Sequence, residues 1–270
     1  MSNSHDLSLF FPTPTTFPSI SVTGSWCGLM CDHCGARFLH TMVDGTREGV
    51  YRSCRNAYEN GAQGVLLTGG STTNGAVPID YDELERACAL TPFRINVHAG
   101  LIEEVPPVLR SASAVSIDIP PSTRVVHEVY HLNRTQDDYF SMVEALKEAR
   151  VHYVPHICIG AEWGTVRGEG QTLERLASYG CEEIVLLSLR VPPGRGNVFK
   201  RVTAHEFEDT IKKAREMFKC IGLGCMRDRT SEKERMWHYF DKIAWPSKIV
   251  KDELARSERT FHTYETCCAV

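Results

Sequence analysis

Three cysteines near the start of the sequence have the spacing of a metal-binding loop. Cys27, Cys31 and Cys34 are separated by three and then two residues, directly after a short run, 20–23, that favours a strand. Thiolates are ligands of iron–sulfur clusters, and three thiolates in one short loop can bind a single compact centre. A [4Fe-4S] cluster held by three cysteines keeps one iron open, as a catalytic metal centre requires. The spacing therefore predicts such a cluster.

A zinc site is the alternative interpretation of the same cysteines. His33 or His40 would then supply the fourth ligand. Zinc sites of this kind usually carry two CxxC units at a distance from each other, and no second unit follows Cys34. The spacing favours iron–sulfur over zinc, and metal analysis separates the two.

Strand-like and helix-like segments alternate along most of the chain, and this alternation predicts the scaffold that positions the cysteines. It favours parallel strands joined by right-handed crossovers. Over 270 residues, it predicts an α/β fold, a (β/α)8 TIM-type barrel, with a partial (β/α)6 barrel as the competitor. The predicted strands are 20–23, 65–68, 94–98, 115–119, 153–159, 184–189, 221–224 and 242–244. The predicted helices are 46–60, 81–89, 135–150, 171–179, 204–218 and 231–240.

The domain organisation follows from these elements. Residues 1–18 are predicted to be an extended lead-in, residues 19–250 the barrel and residues 251–270 a C-terminal tail. We also expect an apolar lumen, lined by alternate strand residues. The candidates for this lining are Val65, Leu67, Ile95, Val97, Val115, Ile117, Ile157 and Leu187.

Polar and small residues at the ends of the first strands are candidates for ligand binding. In a barrel, residues at the carboxyl ends of the strands face the site. Thr68, Gly69 and Gly70 end the second strand, His98 the third and Asp118 the fourth. Glycine allows a close backbone approach, although many Gly-Gly pairs are only turns. Asp118 could equally cap the turn at the two prolines that follow it.

The later strands supply a second group of candidates, for a substrate or an auxiliary cluster. His156 and Cys158 are two residues apart on one strand and share a face. Arg195 lies in the loop after the sixth strand, and Cys225 and Arg227 follow the seventh. The alternatives are a buried core histidine, a solvated arginine and cysteines that only pack.

The cysteine segment resembles the radical S-adenosylmethionine (radical SAM) superfamily, whose signature is CxxxCxxC just after the first barrel strand. The resemblance implies that the open iron binds S-adenosylmethionine (SAM), which is cleaved to a 5′-deoxyadenosyl radical that takes hydrogen from a substrate. It also implies that Gly69 and Gly70 lie near the methionine end of SAM. The residue before the third cysteine is usually aromatic and near adenine, and here it is His33.

Three further segments resemble one group in the biotin synthase-like branch. They are residues 23–24, 129–133 and 222–227. The group includes the second subunit of the two-component lipoyl synthase of archaea and some bacteria. This resemblance implies sulfur insertion into an octanoyl chain on a lipoyl carrier protein, with a second radical SAM subunit as partner. The cysteine triplets that hold the auxiliary cluster of single-chain lipoyl synthases do not occur here. Cys225 is the first candidate ligand for a second iron–sulfur cluster, with Cys158 and the pair Cys267–Cys268 behind it.

Composition limits the other function classes. The formal net charge is −4, and the basic residues are scattered, so nucleic acid is not an expected partner. No apolar run reaches the length of a membrane span, and the first residues do not resemble a secretory signal. We expect a cytoplasmic protein, in which 11 cysteines are too many for disulfides.

An electron donor such as ferredoxin or flavodoxin is an expected partner. A radical mutase, lyase or methylase acting on a small metabolite, and a non-catalytic zinc scaffold, are the alternative functions.

Overall fold

The computed structural model describes residues 6–270, in which eleven parallel strands form one sheet with helices along the chain between them. The strands are β1 (Leu7–Phe10), β2 (Ser19–Ser21), β3 (Val43–Asp44), β4 (Gly64–Thr68), β5 (Arg94–Val97), β6 (Ala114–Asp118), β7 (Tyr153–Ile159), β8 (Glu183–Ser188), β9 (Cys220–Leu223), β10 (Lys242–Ala244) and β11 (Phe261–Tyr264). The α-helices are α1 (Gly49–Glu59), α2 (Tyr81–Cys88), α3 (Thr123–Glu128), α4 (Gln136–Glu148), α5 (Glu169–Ser178), α6 (Ala204–Met217), α7 (Ser231–Glu234) and α8 (Lys248–Leu254). Short 3-10 helices cover Leu39–Thr41, Pro107–Ser111 and Arg235–Tyr239.

The sheet curls into a partial barrel. Its strand order is β11-β1-β10-β9-β8-β7-β6-β5-β4-β2-β3, and within residues 6–270 the two edge strands β11 and β3 do not pair with each other. The predicted α/β class is confirmed, and all eight predicted strands are present as β2 and β4 to β10. The predicted closed barrel is not observed. β1 and β11 extend the sheet beyond β10 and do not pair with β2, so the barrel is open.

Besides the two-residue β3, which pairs with β2, two strands lie in segments for which we predicted none. β1 is within the predicted lead-in and pairs with β10, with Ser8 opposite Lys242. β11 is within the predicted tail and pairs with β1, with Leu7 opposite Phe261. Each strand is only four residues long, too short for a clear period-2 pattern.

The helices begin and end at the residues that local chemistry favours. Thr135 caps α4 in a capping box with Asp138. After α5, Gly180 adopts a φ of 79°, the left-handed conformation that glycine tolerates at a helix end. The sequence analysis did not predict the short helices α3 and α8. Among the helices of residues 6–270, none has both the length and the apolar character needed to cross a membrane.

Seven of the eight apolar strand residues that we predicted to line the lumen face the helices instead. Val65, Leu67 and Ile95 are buried in one core with Val50 of α1 and Leu84 of α2. The same core holds Val97, Val115, Ile117 and Ile157. Our expectation of an apolar lumen lined by these residues was therefore wrong by one residue of register, because successive side chains of a strand point to opposite faces. Leu187 is the exception, because it packs with Cys268 and Ala269 on the lumen side, where we expected it.

Candidate active site

The cysteine loop follows β2 and lies against the end of β4. Gly28 donates its N–H to the carbonyl of Ser71 at 2.7 Å, and the Cys27 thiol lies 3.9 Å from the same oxygen. The hydroxyl of Thr23 accepts the N–H of Gly70 at 2.7 Å. The end of β4 thus holds the first half of the loop in place.

The second half of the loop is held by the segment after α3. Asp32 donates its N–H to the carbonyl of Val129 at 2.9 Å. The Cys31 thiol lies 3.6 Å from the carbonyl of Tyr130. The loop is therefore fixed between the carboxyl ends of β4 and β6, the mouth of the barrel, where sites of barrel folds lie.

One cavity of about 240 Å³ brings the cysteines together with every residue predicted to bind the cofactor. The predicted residues that line it are Cys27, Cys31, His33, Cys34, Thr68, Gly69, Gly70, His98 and Asp118. These residues come from the cysteine loop and from the ends of β4, β5 and β6. The rule that polar residues at strand ends converge placed Thr68, His98 and Asp118 together, and their role in binding a cofactor stays a prediction.

The three thiols of the loop lie together at the cavity wall. Each of Cys27, Cys31 and Cys34 is half-buried at the cavity wall. A hydrogen bond from the Cys31 thiol lowers the pKa of Cys34 to about 6 and, together with burial, raises the pKa of Cys31. Within residues 6–270, no group of three or more His, Cys, Asp and Glu side chains is arranged to hold a metal ion. Three thiols on one short loop are a donor set of the kind that binds an iron–sulfur cluster.

Gly70 is required by the cysteine loop itself. A Cβ at this position would lie 2.6 Å from Cys27 Cα and would overlap the carbonyl oxygen of Trp26. The sequence analysis explained this glycine by the approach of the cofactor. In the structure, the neighbour that excludes a side chain is the backbone that presents the first thiol.

His98 and Asp118 form an ion pair across the cavity wall. Their side chains approach to 3.3 Å, between Nε2 and Oδ2. Burial alone would lower the pKa of His98, but the charge and hydrogen bond of Asp118 outweigh it and raise that pKa. Burial would likewise raise the pKa of Asp118, and the histidine outweighs it and lowers the pKa to about 2. The pair thus keeps a fixed carboxylate in the cavity at neutral pH.

His156 lies beside this pair in a neutral state. It is opposite Asp118 in the register of β6 and β7. Its Nδ1 is 3.0 Å from the carbonyl of Val154, so Nδ1 carries the proton and donates it. Burial lowers the pKa of His156 to about 4. The ring therefore keeps a lone pair on Nε2, which makes it a hydrogen-bond acceptor or proton acceptor.

His33 packs against Tyr130, with ring centroids 5.3 Å apart. Its Nδ1 is buried and has no hydrogen-bond partner among the described residues. Such a group usually has a partner in the functional state. This orphaned atom on the cavity wall fits a bound ligand with a polar group.

The segment 266–270 lies inside the lumen. Cys268 and Ala269 are buried against Ala114 and Val154, which share strand faces with Asp118 and His156, and against Val185 of β8. The remaining members of this cluster are Phe10, Ala244, Leu187, Cys267 and Val270. The side chain of Asn96, two residues before His98, lies 3.4 Å from the thiol of Cys267. The segment therefore fills the lumen one layer deeper than the cavity.

The structure does not place the second group of candidates on the cavity wall. Cys158 packs beside Val125 and Ala161, and Cys225 is exposed after β9. Arg227 is buried: its guanidinium donates to Glu234 at 2.7 Å and to three backbone carbonyls. We had proposed Arg227 as a substrate or auxiliary-cluster residue. The N–H donors of its guanidinium are instead used in these internal hydrogen bonds. Arg195 contacts Asp32 of the cysteine loop.

Sequence reasoning missed several residues of this region. Tyr130, Tyr139 and Met226 line the cavity. Tyr130 and Met226 lie in two of the three segments that carry the finer resemblance, and this signal could have identified them. Asp32 and its partner Trp163 gave no signal, because they meet only through the fold.

The comparisons with known proteins establish the fold. The sequence matches no protein-family model and no curated protein. The crystal structure of methylornithine synthase (PylB) superposes with a TM-score of 0.60 at 10% identity, covering 91% of this chain and 74% of that one. Streptococcus suis SuiB bound to S-adenosylmethionine gives 0.54 at 13% identity, covering 97% of this chain and 51% of SuiB. SuiB bound to the precursor peptide SuiA gives 0.56 at 12% identity, with 97% and 54% covered.

These structural neighbours are radical SAM enzymes. At identities this low, the likeness defines the fold of this chain as the partial barrel that they share. This chain spans about half the length of SuiB, so the remainder of SuiB has no counterpart here.

Proposed function

We propose that this chain is a radical SAM enzyme in which Cys27, Cys31 and Cys34 hold a [4Fe-4S] cluster. One observation carries the proposal: the three thiols of the loop line a single cavity with the ends of β4, β5 and β6. That cavity lies at the carboxyl ends of the strands of a fold shared with an enzyme solved with S-adenosylmethionine. When bound, the cluster and SAM supply a 5′-deoxyadenosyl radical that abstracts hydrogen from the substrate.

The residues of the chain bind and orient the reactants. The thiolates of the loop are the ligands, and the close packing of Gly70 under Cys27 keeps the first of them at the cavity wall. His33 offers its unpartnered Nδ1 to a polar group of SAM. Thr68 and the backbone that follows it form the part of the cavity wall beside the loop.

The polar groups deeper in the cavity bind the part of the reactants that carries charge or hydroxyls. Asp118 keeps its carboxylate ionised and holds a proton on His98 Nε2. His156 presents an unprotonated Nε2 beside them. A radical must be shielded from water, and the lumen below these residues is filled by the segment 266–270.

Anaerobic reconstitution tests the proposal. We expect about four irons and four sulfides per chain and the release of 5′-deoxyadenosine from SAM under reducing conditions, detected by mass spectrometry. Cys31→Ala should lose both. Cys88→Ala, a half-buried cysteine on α2 that does not line the cavity, is the matched control and should retain both. Zinc without iron or sulfide in the wild-type protein would support the scaffold alternative and contradict the proposal.

Sulfur insertion into an octanoyl chain is the finer proposal, and it rests on the sequence resemblance. It needs an apolar path for the chain and a sulfur source. The lumen face near the cavity carries Thr68, His98 and Asp118, and the deeper lumen is filled. Because the deeper lumen is filled, it offers no long path for an acyl chain, and this favours the small substrates of the radical mutase, lyase and methylase alternatives.

Two measurements separate these alternatives. A second cluster would raise the iron to about eight per chain, and Cys225, Cys267 or Cys268 would then be needed for the additional iron. Incubation of the reconstituted enzyme with an octanoylated carrier peptide should yield a thiolated product only if the finer proposal holds. The lipoyl carrier protein, the second subunit and a ferredoxin or flavodoxin donor remain proposals of the same kind.

A further inference from the structure

The carboxylate of Asp32, in the middle of the cysteine motif, is bound by side chains from three separate loops. Oδ1 accepts hydrogen bonds from His131 Nε2 and from Arg195 Nη1, both at 3.3 Å. Oδ2 accepts the indole N–H of Trp163 at 3.1 Å. Arg195 also donates to the backbone carbonyl of Asp32 at 3.3 Å. We call these four residues the Asp32 clamp.

The clamp joins the cysteine loop to the rim of the barrel on its far side. His131 lies between α3 and α4, Trp163 follows β7, and Arg195 follows β8. The end of β4 holds the start of the cysteine loop through Thr23 and Gly70. The clamp therefore holds the CxxC half of a loop that has no regular secondary structure of its own.

The backbone around the clamp adopts a conformation that ordinary residues avoid. Met30, His131 and Trp163 have φ values of 48°, 57° and 48°. Residues other than glycine rarely adopt this left-handed region, and they persist there only where the surroundings hold them. Two of the three are clamp residues, and the third lies two positions before Asp32. Three residues in a strained backbone conformation close to the Asp32 carboxylate indicate that this contact is under a functional constraint.

We propose that Asp32 is a positioning residue that presets the cysteine loop for its cluster. This inference rests on the proposed function. Groups that orient metal ligands through hydrogen bonds change metal retention by about 10–100-fold when removed, because the ligands are no longer held in the binding geometry. Asp32 touches none of the cavity residues through its carboxylate but sits between two of the thiol-bearing turns, so its role is to hold the loop.

The test compares Asp32→Asn with a matched control. Asp228→Asn removes a similarly half-buried carboxylate that pairs with two basic side chains, Arg201 and Lys233, at the same rim. The control residue has no contact with the cysteine loop among the hydrogen bonds and ion pairs of the described residues. Both variants should unfold at similar temperatures.

Two readouts follow. In cluster-free protein, amide hydrogen exchange of residues 26–36 should be about tenfold faster in Asp32→Asn than in wild type and unchanged in Asp228→Asn. In reconstituted protein, iron release to a chelator should be about 10–100-fold faster in Asp32→Asn alone. Trp163→Phe keeps the ring and removes one donor, so it should give a smaller effect that does not add to that of Asp32→Asn.

The outcomes separate the two proposals. A wild-type protein that takes up no iron overturns the proposed function. A wild-type protein that binds iron, with Asp32→Asn exchanging amides and releasing iron at the wild-type rates, overturns the clamp and leaves the proposed function standing. Equal acceleration in Asp228→Asn also overturns it, because the effect would then reflect a general loss of stability.

Discussion

Two groups of cysteines lie at different depths of the same lumen, and their surroundings differ sharply. At the mouth, Cys27, Cys31 and Cys34 lie on an irregular loop beside an open cavity lined by both polar and apolar side chains. Deeper, Cys267 and Cys268 pack with apolar side chains of β6, β7 and β8. The hydrogen bond to Cys267, together with burial, raises the pKa of Cys268. Whether a group of cysteines can bind a cluster therefore depends on the side chains and the space around it, and not only on the number of thiols.

Residues near the mouth of the lumen are suited to bind a ligand, whereas residues one layer deeper stabilise the fold by packing. Near the mouth, strand ends contribute His98 and Asp118, whose charges depend on each other. One layer deeper, Ala114 and Val154 occupy the same strand faces and only pack. The side chains of a strand repeat every two residues, so one face of one strand can serve both purposes at different heights.

The largest expected effect is on iron content, and it appears when a variant without one thiol at the mouth is compared with a variant without one thiol in the deeper layer. Cys34→Ala should reduce the iron of reconstituted protein from about four per chain to near zero. Cys268→Ala should keep the wild-type iron content, because that thiol only packs. Iron and sulfide analysis of both variants checks this. Loss of iron in Cys268→Ala would break the comparison and would indicate a second cluster.

The next largest effect is expected at Gly70, which packs under the cysteine loop. Gly70→Ala places a methyl group against the backbone of Trp26 and Cys27, so the loop must move. We expect a loss of about 1–3 kcal/mol in the free energy of unfolding and about tenfold faster iron release. Gly196→Ala is the control, because a Cβ there meets nothing within 4 Å. Chemical denaturation and chelator kinetics measure both, and equal behaviour of the two variants would contradict the packing argument.

A third prediction addresses the deeper layer alone. Ala269→Leu adds volume to a fully buried site and should destabilise the fold by about 1–3 kcal/mol. Its iron content should stay at the wild-type level. Ala255→Leu, an exposed position after α8, should change neither quantity. If Ala269→Leu proves neutral in a denaturation experiment, the segment 266–270 is not packed in the lumen.

The smallest effect concerns the charges at the mouth. Asp118→Asn should lower the pKa of His98, since the carboxylate is what raises it. In the wild type, the contribution of His98 to stability is fully present below its ordinary pKa of about 6.5 and is lost as pH rises through the folded value. The contribution of Asp118 is present above about pH 4 and is lost as pH falls toward 2. Histidine NMR titration of both proteins checks the shift, and an unchanged His98 pKa would contradict the pairing.

The sequence was sufficient for features that depend on neighbouring residues. Eight strands, the capping box at Thr135 and the convergence of Thr68, His98 and Asp118 all follow from short-range patterns and from the rule for strand ends. The prediction failed where the period-2 pattern gives two equivalent faces. Val65 and Val97 are buried, as expected, but on the helix side, because apolar character alone does not show which face meets the lumen.

By itself, the sequence determined the composition and spacing of the cysteine loop, since Cys27, Cys31 and Cys34 are close in the chain whatever the fold. Only the tertiary structure decided that Asp32 meets Trp163 and Arg195, and that residues 266–270 fill the lumen beside Val154. These partners are separated by more than a hundred residues, and the curl of the sheet brings them together. No local propensity encodes such contacts, because they form only after every intervening strand has found its place in the barrel.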